Sequence, residues 1–450
     1  MRRSTAVLTI TNPRAGCYAN CNKIKPQVED IQLSMSAVRV VANTQNNEAL
    51  NFRHFVFDVL WFGLAFPAID RFRDIYAIRL GADATQLTWI ASLPALMLLL
   101  MSSIAGRWMS RYSNSRDSIR IPGIIFRLVF LLPALTAFIP AKFQLSWLIL
   151  SVVLPAVGQG LAAVGFVVMM REAVSGGRIP ALSGRRTMTM NASVAISGLA
   201  MGFWLEKAPF PFNYQIMFVV AFLISLISWW HVNQVKVIPE LVTPPAPSSK
   251  RINPWKSSSF QLIAFIMAMS FMTFTAIRPL ISLYMVNNLH ANEWFLSNFG
   301  LVELAAGALI AAFSGPLIER IGTRSMIAIG LIGTGIAAFI IAGAHTLPMT
   351  LISAAIGGAA WTIVNIGQFS FFSQMTPTEH KEPFTTAYHQ VAFLAMFIGP
   401  LIGRLLTTGN IPIITALCIG ATLRVLAGIL TQIHPRQWVT RAMQIGFSLR

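Results

Sequence analysis

Gly315-Pro316-Leu317-Ile318-Glu319-Arg320-Ile321-Gly322-Thr323-Arg324 is a charged run set between two long apolar ones, residues 294–317 and 325–343. A related run, Gly106-Arg107-Trp108-Met109-Ser110-Arg111, opens 209 residues earlier and also closes a long apolar stretch. A helix crosses a hydrocarbon core with about 20 apolar residues at ~1.5 Å each. A charged hinge between two such stretches reads as a loop at a membrane surface, and its recurrence reads as an internal repeat.

Ten further stretches meet the same standard. The spans expected in the first half are approximately 52–78, 86–106, 121–140, 145–170, 187–206 and 213–233. Those of the second half are 259–286, 294–317, 325–343, 348–373, 384–406 and 411–433. Composition agrees: 55% of the 450 residues are apolar, 11% are charged, and mean hydropathy is +0.63. A soluble domain carries about 25% charged residues, so this chain lacks the polar surface that water would require. The expected fold class is an all-α membrane protein of twelve transmembrane helices in two pseudo-symmetric six-helix bundles.

The net charge of +18 does not point to nucleic acid, because the basic residues are scattered over short loops instead of gathered into one patch. Their distribution reads as topology. With the N-terminus inside, tails and inner loops hold 25 of the 34 Lys and Arg residues, while outer loops hold only Arg79, Lys142 and Lys207. That bias places both termini in the cytoplasm. Along the chain, residues 1–51 read as a polar, disordered cytoplasmic tail and 52–233 as the first bundle. The proline-rich stretch 234–257 reads as a cytoplasmic linker, 258–433 as the second bundle and 434–450 as a second tail. Cys17, Cys21 and Cys418 are too few for a disulfide framework, and no metal or cofactor site is expected.

The repeat extends beyond the two loops. Tyr76 and Tyr284 stand 208 residues apart, and Gly198-Leu-Ala-Met-Gly202 answers Gly399-Pro-Leu-Ile-Gly403. An even helix number per half then gives two parallel bundles related about the membrane normal. At these residues the chain resembles the major facilitator superfamily. That family's loop motif, Gly-x-x-x-Asp-Arg-x-Gly-Arg-Arg or close to it, is matched by Gly315, Glu319, Arg320, Gly322 and Arg324. The first copy keeps Gly106, Arg111 and Arg116 but has Ser110 and Ser113 where an acid and a glycine belong. The resemblance implies inner-side gating loops at Gly106, Arg111, Gly315, Glu319, Arg320 and Arg324, in which glycines allow close helix approach. Proton-coupled drug exporters of similar fold carry an arginine four residues before the glycine of a Gln-Gly pair in span four. Ahead of Gln159-Gly160 that position is Ala156, which weakens an exporter of that kind.

Ionisable groups inside a bilayer cost ~2.5–3.5 kcal/mol on insertion scales and are functional candidates by default. Asp58, Asp70, Arg71, Arg73 and Asp74 lie in span one, and the four-residue step puts Asp70 and Asp74 on one face with the arginines elsewhere. Arg278 aligns with Asp70 at the repeat offset, so the two are expected to face each other across a central cavity. Glu303, flanked by Leu301, Val302, Leu304 and Ala305, is the leading candidate for proton coupling or solute contact. Asn365 and Gln368 share a face of span ten near Trp361 and are candidates for lining the same cavity. Arg127 and Arg404 read as snorkelling groups, and Arg424, in mid-span twelve, has no partner evident in the sequence.

The leading function is secondary active transport of a small solute by alternating access, efflux-like and proton-coupled, with no catalytic residues. An apolar cavity with few charges leans towards amphipathic solutes. Expected partners are that solute, protons and the bilayer, with the chain monomeric. The alternatives are a membrane-embedded enzyme or lipid-handling protein, and a nontransporting receptor on the same scaffold. No phosphate-binding Gly-x-x-x-x-Gly-Lys-Ser/Thr loop occurs, which argues against an ATP-driven pump.

Overall fold

A computed structural model of the chain describes residues 44–241, 253–375, 381–407 and 411–432. Twelve helices among them are long and apolar enough to cross a membrane. They are α1 (Thr44–Arg79), α2 (Ala84–Met109), α3 (Ser115–Phe138), α4 (Ala141–Ala173), α5 (Gly176–Lys207) and α6 (Phe212–Gln234). The second half holds α7 (Ser258–Asn287), α8 (Glu293–Ala312), α9 (Pro316–Ala342), α10 (Leu347–Met375), α11 (Pro383–Leu405) and α12 (Ile413–Gln432). The contacts described below all lie within the unit Asn51–Arg450. The expected terminal tails fall largely, and the middle of the linker wholly, outside the described residues.

Most helices outrun their apolar stretches. α5, for example, begins at Gly176, where the apolar run begins only at 187, because Arg178, Arg185 and Arg186 continue the helix beyond the hydrocarbon. Caps explain several starts: Asp83 forms a capping box with Gln86 on α2, and Asn114 and Asn292 accept from the first turns of α3 and α8.

The repeat is visible in the packing. α2 and α3 both pack on α4, and α3 on α6; in the second half α8 and α9 pack on α10, and α9 on α12. The halves meet through α2 against α11 and α5 against α8, which exchange with each other under the repeat. Glycines sit at close helix contacts, α11 on α7 within the second half and α5 on α8 between the halves. A Cβ at Gly403 would strike the Ala276 carbonyl of α7, and one at Gly202 would strike Ser297 of α8.

Two of the three motif glycines, Gly106 and Gly322, behave differently from the close-approach reading. A Cβ at Gly106 would meet nothing within 4 Å. Gly322 has φ +77°, so its place in the motif is conformational: it lets the chain turn inside the start of α9 where an L-residue would be strained. Glu319, Arg320 and Arg111 are exposed, and Arg324 donates to the Thr431 carbonyl of α12 at 2.6 Å. The burial of Gly315 lies outside what is described.

Candidate functional site

The site begins with a defect in α1. Ala68–Phe72, following Pro67, winds as a π turn whose hydrogen bonds close five residues apart. The wider turn changes the angular spacing of side chains. Arg71, expected to point away from the Asp70/Asp74 face, therefore lines the same space as both carboxylates.

The two charged residues of this turn reach the other half. Asp70 accepts both oxygens' bonds from Arg278 Nη2, at 3.1 and 3.2 Å. Arg71 Nη2 bonds Glu303 Oε2 at 3.1 Å, and its Nη1 donates to the Leu296 carbonyl of α8. The guanidinium fits over Gly300, where a Cβ would overlap it. Arg73 pairs with its neighbour Asp74 at 2.8 Å. Asp70, Arg278 and Glu303 thus come together, from α1, α7 and α8.

Two adjoining cavities flank these pairs. The larger, ≈ 440 Å³, is walled by α1, α5, α7, α8 and α10, with Asn191, Trp361 and Asn365 among its polar and aromatic lining. The smaller, ≈ 110 Å³, lies among α1, α7, α8, α9, α10 and α12 and includes Asp74 and Arg424. Asp70, Arg71, Phe274, Arg278 and Glu303 line both. Phe274 stacks on Trp361 at 3.7 Å between ring centroids.

Three expectations come out differently. Gln368 does not join Asn365 on the cavity wall. It is 2% exposed inside the second bundle, with Nε2 lacking a partner among the described residues. Asp58 lies away from both cavities, buried, bonding Arg186 at 3.0 Å and accepting from Ser228 at 2.8 Å. Arg127 does not snorkel. It is 6% exposed, donates to Ser228 and the Gly123 carbonyl, and packs on Trp229, because the α3–α6 seam holds a polar cluster able to retain it.

Other elements were not legible as site parts. Glu293, in the first turn of α8, accepts from Arg79 of α1 at 2.9 Å and from the Tyr214 hydroxyl of α6 at 2.9 Å. Beside it Asn292 donates to Glu206 of α5 at 3.1 Å. These contacts join the halves at the end of the molecule remote from Asn51 and Gln432. Towards the Asn51 end, α5 and α8 part, and the larger cavity runs between them from Asp70 down to Thr187 and Ala311. Meanwhile α2 and α11 stay together along their length, through Thr88 with Pro400 and Ser103 with Gln390. The arrangement is a mid-membrane chamber closed at one end and reaching towards the other.

Known proteins place this architecture. No curated protein sequence matches the chain. Among solved structures, the POT family transporter PepTSo superposes with a TM-score of 0.68 at 11% identity, covering 87% of this chain and 98% of that one. The xylose transporter XylE from E. coli, in a partially occluded inward open conformation, gives 0.65 at 11% identity, with 85% and 97% covered. The nucleoside transporter NupG gives 0.63 at 12% identity, with 85% and 98% covered. At such identities these likenesses establish the fold. The family model of the Major Facilitator Superfamily matches residues 54–262 and 263–444, two stretches that divide a few residues into α7. The chain is an integral, multi-pass membrane protein belonging to the major facilitator superfamily.

Proposed function

We propose that the protein is a secondary transporter that carries a small solute by alternating access, coupled to protons through Glu303. The observation that supports this is the chamber itself: it lies between the halves, at mid-membrane depth, and its walls are the elements that would move against each other. With both termini in the cytoplasm, as the Lys and Arg bias argues, the chamber faces inward in this structure, and the Arg79–Glu293–Tyr214 cluster is the outer gate.

Glu303 fits the coupling role because, among the described residues, its one ion pair is with Arg71, on the opposite half. A proton on Glu303 removes the ionic part of Arg71's hold on α8 and leaves only the bond to the Leu296 carbonyl. The halves then separate there more easily, so protonation and gating become one event. Arg278 and Asp70 form the parallel tie from α7 to α1.

The test is solute-induced pH change in vesicles containing purified protein, across a broad solute panel. Wild type is expected to move protons with one solute class, and Glu303→Gln to lose the proton movement while retaining solute exchange. Proton movement that persists in Glu303→Gln would assign coupling elsewhere. Solute flux without proton movement in wild type would make the protein a uniporter or a carrier coupled to another ion.

A further inference from the structure

The ion pairs in and beside the two cavities leave one arginine over. Their lining holds the carboxylates Asp70, Asp74 and Glu303 and the guanidiniums Arg71, Arg278 and Arg424. Arg278 takes Asp70 and Arg71 takes Glu303, while Asp74 is taken by Arg73 from outside the lining. Among the described residues Arg424 has no carboxylate partner. A guanidinium does not release its proton in a protein, so the four arginines, with Arg73 counted, outnumber the three carboxylates by one, and Arg424 is the one left without a carboxylate.

Arg424 is held without being neutralised. Nε donates to the Thr273 carbonyl at 3.1 Å, Nη1 to Thr334 at 3.1 Å and Nη2 to Phe274 at 2.7 Å. Its guanidinium also lies over the Phe274 ring at 4.8 Å. Carbonyl dipoles and a ring face ease the desolvation of a cation but leave its net charge in place. Three of the five N–H donors are used, which leaves two for an incoming acceptor. At the protein surface a surplus arginine needs no explanation. In the middle of α12, with 4% exposure, it does.

We infer that the solute is a small amphipathic monoanion whose carboxylate, or a similar acidic group, is taken in the smaller cavity by Arg424. This rests on the carrier reading above and names its substrate class. The cavity of ≈ 110 Å³ suits a headgroup, and the adjoining ≈ 440 Å³ holds an apolar or aromatic body against Trp361 and Phe274. A bound anion gives Arg424 the counter-charge that the ion pairs leave it without, in a cavity that Arg71 also lines. Neutral solutes of the same shape leave the charge of Arg424 unmatched. Cations add to it.

The experiment compares ligands that share a skeleton: benzoate, benzamide and benzylamine, then octanoate and octanamide. Binding is read by equilibrium dialysis on the purified full chain, and flux by counterflow in vesicles. Wild type is expected to hold each carboxylate at least about tenfold more tightly than its amide and to reject the amine, as befits a charge-assisted contact. Arg424→Gln is expected to erase that preference, and Arg424→Lys to keep most of it. The wild-type comparison decides the substrate class even if neither variant folds. Amides or amines carried as well as carboxylates would overturn the anion inference and leave the carrier reading standing. Anion preference undiminished in a folded Arg424→Gln would remove Arg424 from the site. No binding and no flux for any of these compounds would overturn the inference, while the carrier reading stands or falls on the broad solute panel.

Discussion

Two aspartates of α1 show how far a single residue's surroundings decide its role. Asp58 is 4% exposed and answers two arginines, the part-buried Arg186 directly and the buried Arg127 through Ser228. Removing its charge leaves two guanidiniums in the first bundle without a counter-ion. Breaking a buried pair in this way costs about 3–5 kcal/mol, so Asp58→Asn is expected to lower the melting temperature of the purified protein markedly. Asp70 stands in a wet chamber opposite a half-exposed Arg278, so Asp70→Asn is expected to melt near wild type while transport falls. Equal melting losses in the two variants would contradict the division. The sequence flags both residues, because a carboxylate in an apolar run is conspicuous wherever it points. It does not separate them, since their partners lie 128 and 208 positions away and depend on packing. Gln368 and Asn365 teach the same lesson: three residues apart on one helix, they end on opposite sides of the chamber wall.

Among the elements, α8 carries most of the site. Its first turn holds Glu293 at the closed end, Gly300 receives Arg71, and Glu303 meets that arginine one turn on. Farther along, α10 presses against it so closely that a Cβ at Gly358 would overlap the Glu303 backbone. Gly358→Ala must push α10 away or turn Glu303. Overpacking of this kind costs about 1–3 kcal/mol, and here its effect falls on the Arg71 contact. The expected result is a lower melting temperature together with weakened proton coupling in vesicles. Loss of stability with coupling intact would mean that the strain relaxes away from Glu303. The apolar stretches located α8 and its eleven companions because hydrophobic length is a local property. The π turn of α1 was invisible to that reading: it depends on five-residue hydrogen bonds, and the apolar count through residues 68–72 is the same in either winding.

At the scale of the whole molecule, the repeat makes the two seams between the halves equivalent in principle and unequal in this state. α2 with α11 and α5 with α8 are counterparts, yet only the second pair parts towards the Asn51 end. Alternating access requires the reverse movement, in which the Arg79–Glu293 and Glu206–Asn292 contacts break and α5 and α8 close below. A short bifunctional thiol reagent applied to the double variant Glu206→Cys, Asn292→Cys tests this directly. Tying α5 to α8 at the closed end should stop solute flux in vesicles but leave solute binding intact, because the chamber still communicates with the other end. A third substitution, Ala311→Cys, reports on that end. Its thiol is expected to react with an impermeant reagent only from the side of the termini, and to stay reactive once the cross-link is in place. Flux that survives the cross-link would show that the halves need not part at α5 and α8. Labelling from the opposite side would invert the orientation and make the Arg79–Glu293–Tyr214 cluster the inner gate.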